Sequence, residues 1–276
     1  MRKACVGFLL FAAAVSASAQ NNFFAKWEAR ASATQSQQPT WTPPLVTTFV
    51  PLIQVYRGDV TRQIGSTHTT TWNYDGSKGL NLIPWANTEF DFDLPPLLTH
   101  SSQAATDGAG DASFLGKYRI LTGNAQHGNY AISAFVGATI PTGSYKNGST
   151  DATVGPGMGF GKGFGPFSLQ STLSASLPTG DTTRLGRPVT WNTAGQLRLV
   201  RIFWPEAELN ATYFHGGPYD GKTQAFITPG LLAAHKLRPS TETSRLGLCV
   251  GAGEQVATSS FHNYNHELIF TGRLVF

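Results

Sequence analysis

The chain has 276 residues, enough for one large domain or two small ones, and a formal net charge of +4. Only 13% of its residues are charged, about half the share of ordinary soluble domains, whereas 12% are aromatic. There is no basic cluster typical of nucleic-acid binding, and after residue 19 there is no apolar run of about 18 residues for a membrane-spanning helix. Composition therefore leaves two classes, a soluble all-β protein or an outer-membrane β-barrel.

Residues 1–19 predict a secretory signal peptide. Arg2 and Lys3 form a basic start, residues 4–15 form an apolar run, and Ala17-Ser18-Ala19 is a small-residue cleavage site. A buried N-terminal helix is the alternative, and it does not account for all three features. Removal of this segment would leave Cys249 as the one cysteine, so we expect no intrachain disulfide.

Residues 20–44 are polar, and we predict an irregular periplasmic lead-in to a barrel that covers 45–276; a plug in the barrel is the alternative for 20–44. From there apolar and polar residues alternate over segments of about ten residues, the length of a barrel strand. The alternation predicts twelve strands, near 45–57, 70–84, 88–95, 111–121, 130–140, 152–163, 166–177, 190–201, 204–214, 223–236, 243–256 and 264–276. The first two are the least regular, which leaves ten or fourteen strands as alternatives.

Short turns such as 164–165 alternate with long polar loops such as 178–189. This alternation is typical of outer-membrane barrels, whose short turns face the periplasm. The sequence thus predicts an all-β fold, a transmembrane antiparallel up-and-down β-barrel of bacterial outer-membrane type. We expect the loops 58–69 and 96–110 to fold into its lumen and to decide what passes.

Glycine occupies every second position from Gly155 to Gly165. A phosphate-binding loop does not fit this spacing, because the glycine it requires five residues before Gly161 is Pro156 and Lys162 is followed by glycine. A strand whose lumen face has no side chains does fit, and it would leave room inside the barrel or admit a neighbouring aromatic ring. We predict that these glycines are architectural.

Charged residues share one face of several predicted strands. Glu89, Asp91 and Asp93 share a face of one strand, and Lys117 and Arg119 share a face of the next. Because a charge on the lipid face would cost about 2–4 kcal/mol near the midplane, we predict that they line the lumen. The same argument places six more charged residues there: Arg198, Glu206, Glu208, Arg245, Glu267 and Arg273. Two interpretations stay open, a structural ion-pair ladder or a selectivity element along a permeation path.

The last strand, Leu268 to Phe276, ends on an aromatic residue after alternating apolar positions. It resembles the C-terminal membrane-insertion signal of bacterial outer-membrane barrels, which their assembly machinery recognises; the matching residues are Phe270, Gly272, Leu274 and Phe276. Four other segments resemble the outer-membrane family called the MetA-pathway of phenol degradation family: Gly110–Leu121, Ile140–Gly143, Leu177–Asp181 and Thr228–Gly230. The resemblance covers roughly residues 80 to 276. It implies a barrel that passes small hydrophobic or aromatic compounds across the outer membrane, and it supplies no catalytic residues.

We therefore expect a monomeric channel or transporter in the bacterial outer membrane that carries small hydrophobic or aromatic solutes without a covalent step. The expected partners are the lipid bilayer, the barrel-assembly machinery and these solutes; we expect no nucleic acid, cofactor or metal. One alternative is a closed structural or surface-binding barrel without transport. Another is an outer-membrane lipid hydrolase using Ser259, Ser260 and His262, for which the spacing indicates no acid partner.

Overall fold

The structure is a computed structural model, and it describes residues 23–75, 78–237 and 245–276. The predicted signal peptide lies outside the described residues. No helix in the described part of the chain is long and apolar enough to cross a membrane.

Strands dominate the described residues, as the period-two pattern predicts. They are β1 Val55–Ile64, β2 Thr70–Tyr74, β3 Gly79–Trp85, β4 Thr88–Asp93, β5 Leu97–His100, β6 Gly108–Ala109, β7 Ala112–Gly123, β8 Tyr130–Ile140, β9 Thr153–Phe164, β10 Phe167–Ala175, β11 Leu177–Pro178, β12 Val189–Leu197, β13 Phe203–Tyr213, β14 Thr223–Lys236, β15 Gly247–Ala257 and β16 His266–Val275. Helix α1 covers residues 23–36, and the short helix α2 covers Thr182–Leu185.

Twelve of these strands form a closed antiparallel barrel. Their order around the wall is β1, β3, β4, β7, β8, β9, β10, β12, β13, β14, β15 and β16, and β16 pairs with β1 over ten residues from Val55 opposite Val275 to Ile64 opposite His266. Closure leaves no free edge, so the backbone groups of every wall strand have neighbours on both sides. The predicted fold class, an antiparallel barrel of about twelve strands, is confirmed.

The other strands extend the wall at the long-loop end. The end of β1 pairs with β2, β2 pairs with β5, and β5 pairs with β6. The segment 70–84, predicted as one strand, therefore contributes to two strands, β2 and β3. The loops predicted at 58–69 and 96–110 also contain sheet: residues 58–64 belong to β1 and residues 97–100 form β5.

The two faces of the wall have opposite chemistry. On β16 Phe270 and Leu274 point outward and are exposed, whereas Thr271 and Arg273 point inward and are buried. The same alternation is found on β13, where Leu209 is exposed and Glu208 is buried. A barrel whose outer face is apolar and whose interior is polar is the arrangement that a bilayer selects.

The N-terminal region differs from the prediction. Residues 23–36, expected to be irregular, form helix α1. The first barrel strand begins at Val55 rather than near residue 45, and residues 37–54 have no regular structure. All six residues from Phe49 to Gln54 are buried. Since a wall strand would expose alternate residues, continuous burial indicates that this segment is surrounded by protein. We call residues 37–54 the plug segment.

Candidate functional site

The plug segment crosses the barrel lumen and is held there by side chains of the wall. On one side, the backbone N–H of Leu45 donates to Glu206 Oε1 at 3.0 Å, and the N–H groups of Val46 and Thr47 donate to Glu208 at 2.8 and 2.6 Å. The two carboxylates thus accept hydrogen bonds from three consecutive backbone groups. Charge-assisted bonds of this kind satisfy donors that irregular backbone would otherwise bury unpaired.

Two arginines bind the carbonyl groups of the same stretch. Arg57 donates to the carbonyl of Pro44 at 3.1 Å and to that of Leu45, while its Nη2 lies 2.7 Å from Asp59. Arg273 donates to the carbonyls of Pro43 and Pro44, the latter at 2.9 Å. The wall therefore supplies acceptors for the N–H groups of the plug segment and donors for its carbonyls.

The other end of the plug segment is held by other strands of the wall. The N–H of Val50 donates to Gln170 at 3.2 Å, and its carbonyl accepts from Ser133 Oγ at 2.7 Å. The N–H of Ile53 donates to Glu89. These contacts involve β4, β8 and β10, whereas the N–H groups of Leu45 to Thr47 donate to side chains of β13.

Glu89 also forms an ion pair with Lys117, which the sequence predicts on the neighbouring strand. The strand register sets it opposite Lys117, whose Nζ lies 2.6 Å from Glu89 Oε1, and both side chains are almost fully buried. Asp93 accepts a hydrogen bond from Ser113 at 2.9 Å, and one buried oxygen of Asp91 has no hydrogen-bond partner in the described part of the chain. The acidic row thus lies on the inner face, and one member binds both a base and the plug segment.

The glycines of β9 make room for this filling. A Cβ added at Gly161 would lie 2.5 Å from the Trp41 ring, and one added at Gly159 would lie 2.9 Å from Val50. Gly157 faces the Phe135 ring, which lies within 2.4 Å of where a Cβ of residue 157 would be. The prediction that the glycine face leaves room or admits an aromatic ring agrees with these distances. Trp41 and Val50 belong to the plug segment.

Helix α1 covers the short-turn end of the lumen. Ala31 and Trp27 lie one turn apart on the same face and pack against Leu52 and Ile83. Arg119 donates to the carbonyl of Thr34 at 2.7 Å. A further ion pair joins α1 to the wall, because Arg245 Nη2 lies 2.6 Å from Glu28 Oε2.

A second layer of polar side chains lies on the long-loop side of the plug segment. Gln255 donates to Asn210 at 3.0 Å, and the Tyr264 hydroxyl lies within hydrogen-bond distance of two acceptors for its one proton, Gln255 Oε1 and, at 3.1 Å, Glu267 Oε2. The Tyr264 ring stacks on Phe226 with centroids 4.7 Å apart. Burial and the Glu267 carboxylate raise the pKa of the Tyr264 hydroxyl, so it stays a hydrogen-bond donor.

Some predicted site residues form no hydrogen bond or ion pair with the plug segment in the described part of the chain, including Arg198, Phe270, Gly272 and Leu274. Arg198 follows the end of β12, is exposed, and has its guanidinium 5.5 Å from the centre of the Trp204 ring. The residues of the predicted insertion signal, Phe270, Gly272 and Leu274, lie on the outer face, with half-buried Phe276 at the chain end. Their recognition by assembly machinery stays a prediction.

The segment inside the lumen is not the one expected. Loops 58–69 and 96–110 contribute residues to the sheet, whereas residues 37–54, expected to lie partly outside the barrel, fill it. Four further residues contribute to the site without having been predicted from the sequence: Arg57, Asp59, Gln170 and Ser133. The inward alternation of Gln170 and Ser133 places them in the lumen, but no local signal shows what they bind.

The hydrolase candidates do not form a nucleophile–base pair. Both ring nitrogens of His262 contact other groups, the carbonyl of Ser259 at 2.8 Å and the side chain of Asn265 at 2.9 Å, and Ser259 Oγ donates to the carbonyl of Phe261 at 2.6 Å. No cluster of three or more potential metal-ligating side chains occurs within 23–75, 78–237 and 245–276.

Two solved structures define the class of fold to which this barrel belongs. An outer membrane channel from Pseudomonas putida F1 aligns with a TM-score of 0.52 at 16% identity, covering 86% of this chain and 100% of the channel. The NanC porin aligns with a TM-score of 0.50 at 10% identity, covering 81% of this chain and 98% of the porin. No family description and no curated protein matches the sequence. The chain therefore has the fold of outer membrane channel and porin barrels, and neither neighbour is an enzyme by its name.

Proposed function

We propose that the protein is an outer membrane channel for small hydrophobic or aromatic solutes, and that the plug segment closes its lumen at rest. The observation that carries the proposal is a closed twelve-stranded barrel with an apolar outer face and a polar interior. Similarity in fold to an outer membrane channel and to a porin supports it.

The anchors of the plug segment favour a closed but openable state. Leu45, Val46 and Thr47 are held by hydrogen bonds to side chains and not by sheet pairing with the wall. Such bonds contribute about 1.5–3 kcal/mol each when one partner is charged, and they can break without disturbing the barrel. A solute would pass once this segment shifts, with no covalent step and no cofactor.

The proposal includes the surroundings of the barrel. The chain would be exported by its signal peptide, inserted by barrel-assembly machinery that recognises the final strand, and surrounded by outer membrane lipid as a monomer. The short turns would face the periplasm, and α1 would then lie at the periplasmic mouth. No nucleic acid takes part.

A second candidate function is a closed structural barrel. It is favoured by the filling itself, because Glu89, Glu206, Glu208 and Arg273 all bind the plug segment and are almost fully buried. In that case these charges only stiffen the molecule.

Conductance of the refolded protein in a planar bilayer, with and without small aromatic solutes, tests the proposal. We expect discrete, infrequent current steps that aromatic solutes block and small sugars do not. A protein that is folded by circular dichroism and by heat-modifiable gel migration, yet silent under all these conditions, would support the structural candidate.

A further inference from the structure

A cavity of about 410 Å³ lies between the plug segment and the wall at the short-turn end of the barrel. This volume falls within the range of small-molecule sites, about 300–1,000 Å³. No carboxylate side chain lies among the described residues that line the cavity. Five of the lining residues are cationic: Arg198, Arg201, Lys236, Arg245 and Arg273. We call this cavity the cationic vestibule.

The charges of the cationic vestibule are only partly compensated. Arg273 is engaged by the plug segment and Arg245 by Glu28. In the part of the chain that the structure describes, Arg198, Arg201 and Lys236 have no carboxylate within salt-bridge distance. Like charges held together in one concave site attract an anion, and low-dielectric walls strengthen that attraction.

A buried donor adds an independent indication of a ligand. The side chain of Arg245 is nine-tenths buried, yet its Nε has no hydrogen-bond partner among the described residues. A buried polar group without a partner costs about 1–3 kcal/mol, so a missing acceptor is the simplest explanation. The acceptor would lie in the cavity that Arg245 lines.

The remaining walls are aromatic and apolar. Trp41 and Phe49 come from the plug segment, and Trp204 comes from β13. Aromatic walls favour a flat ring, and guanidinium groups favour a carboxylate, which they can bind in two-point geometry. Neither an inorganic ion nor an uncharged ring would use both features.

We propose that the cationic vestibule binds small aromatic monoanions, such as aromatic carboxylates. The negative group would accept a hydrogen bond from Arg245 Nε and be attracted by Arg198, Arg201 and Lys236, and the ring would lie against the aromatic walls. This site narrows the solute class of the proposed function and rests on that function for its physiological role. It would hold a solute on the short-turn side of the plug segment.

Isothermal titration of the refolded protein in detergent tests the site, using benzoate, the neutral benzamide and the ringless acetate. We expect saturable benzoate binding that weakens with salt, with benzamide and acetate each bound about tenfold or more weakly, since each lacks one of the two recognition features. The double variant Arg198→Gln with Arg201→Gln should weaken benzoate binding by about tenfold or more.

Lys162→Gln is the matched control, because Lys162 lies near the same end of the barrel on the outward face of β9 and its Nζ donates to the carbonyl of Gly128 at 2.6 Å. It should bind benzoate as the unmodified protein does. Equal affinity for benzoate and benzamide, unchanged binding by the double variant, or an equal loss in Lys162→Gln would each overturn the inference. Conductance is measured separately, so that the two proposals can fail independently. Conductance without benzoate binding would overturn only the proposed binding site in the cationic vestibule. Benzoate binding without conductance would overturn the proposed channel function.

Discussion

At the residue scale, the buried pair of Glu89 and Lys117 shows how the lumen tolerates charge. Glu89 Oε1 accepts from Lys117 Nζ at 2.6 Å and from Asn81 at 3.2 Å, and the other oxygen accepts from the N–H of Ile53. A carboxylate this buried is stable only if its lone pairs are used. The pair therefore positions an acceptor for the plug segment while its charge stays neutralised.

Replacing Lys117 by methionine should leave Glu89 buried without a counter-charge. We expect Lys117→Met to lower the free energy of unfolding by about 3–5 kcal/mol, the usual result of breaking a buried pair from one side. The double variant with Glu89→Gln should recover most of this loss, because the glutamine oxygen can still accept from Ile53. Denaturant unfolding of the folded barrel is the measurement.

Lys146→Met is the control for this prediction, since Lys146 is exposed in a loop and forms no ion pair with the described residues. Its effect should stay within about 0.5 kcal/mol. An equal loss in both variants, or no recovery in the double variant, would mean that the buried pair does not carry the stability assigned to it.

At the scale of elements, the sequence predicts the barrel strands better than it predicts the plug segment inside the lumen. The predicted strands 130–140 and 223–236 match β8 and β14 residue for residue, because strict alternation and clear turns fix both their faces and their ends. Residues 45–54 fall within the first predicted strand, 45–57, one of the two least regular of the twelve. Their true position depends on Gln170, Glu206 and Glu208, more than 100 residues away, and no local pattern contains that information.

The sequence of helix α1 contains a weak helical pattern, but its polar composition favours an irregular segment. Trp27, Ala31 and Thr34 follow the helical spacing of four and three, and all three lie at least partly buried on one face. The surrounding serine, threonine and glutamine residues favoured an irregular segment. Helix α1 packs on Leu52 of the plug segment. The position of the plug segment was not predicted from the sequence, so the surface on which α1 packs could not be predicted either.

The plug segment packs as a unit, so loosening one contact should expose what lies beneath it. Leu45 belongs to a cluster with Trp204, Leu232, Cys249 and Ile269, and Cys249 is only 3% exposed. Leu45→Ala should cost about 2–5 kcal/mol of local packing and speed modification of Cys249 by a polar thiol reagent about tenfold or more. The rate is measured by the mass of the peptide that contains Cys249.

Leu209→Ala makes the same truncation on the outward face of β13, where Leu209 is 37% exposed. It should leave the labelling rate of Cys249 unchanged. Equal rates in the two variants would mean that Leu45 does not cover the cysteine, and that the plug segment is not held by this cluster.

At the scale of the whole molecule, one chain forms both the barrel wall and the plug segment inside it. The wall satisfies its own backbone by closure, whereas the plug segment depends on inward side chains such as Glu208 and Arg57. The barrel can therefore persist if the filling moves, which is the property that a gated channel needs.

The most direct test of the central claim, that residues 37–54 close the lumen, is planar-bilayer conductance of the variant Glu206→Ala with Glu208→Ala. Three backbone N–H groups lose their acceptors in this variant, so the plug segment should leave the lumen more often. The matched control is Glu254→Ala, which removes an exposed carboxylate that pairs with His266 at 3.1 Å. We expect larger or longer-lived current steps in the double variant alone. Conductance that stays at the level of the unmodified protein and the control, in a barrel shown to be folded, would contradict it.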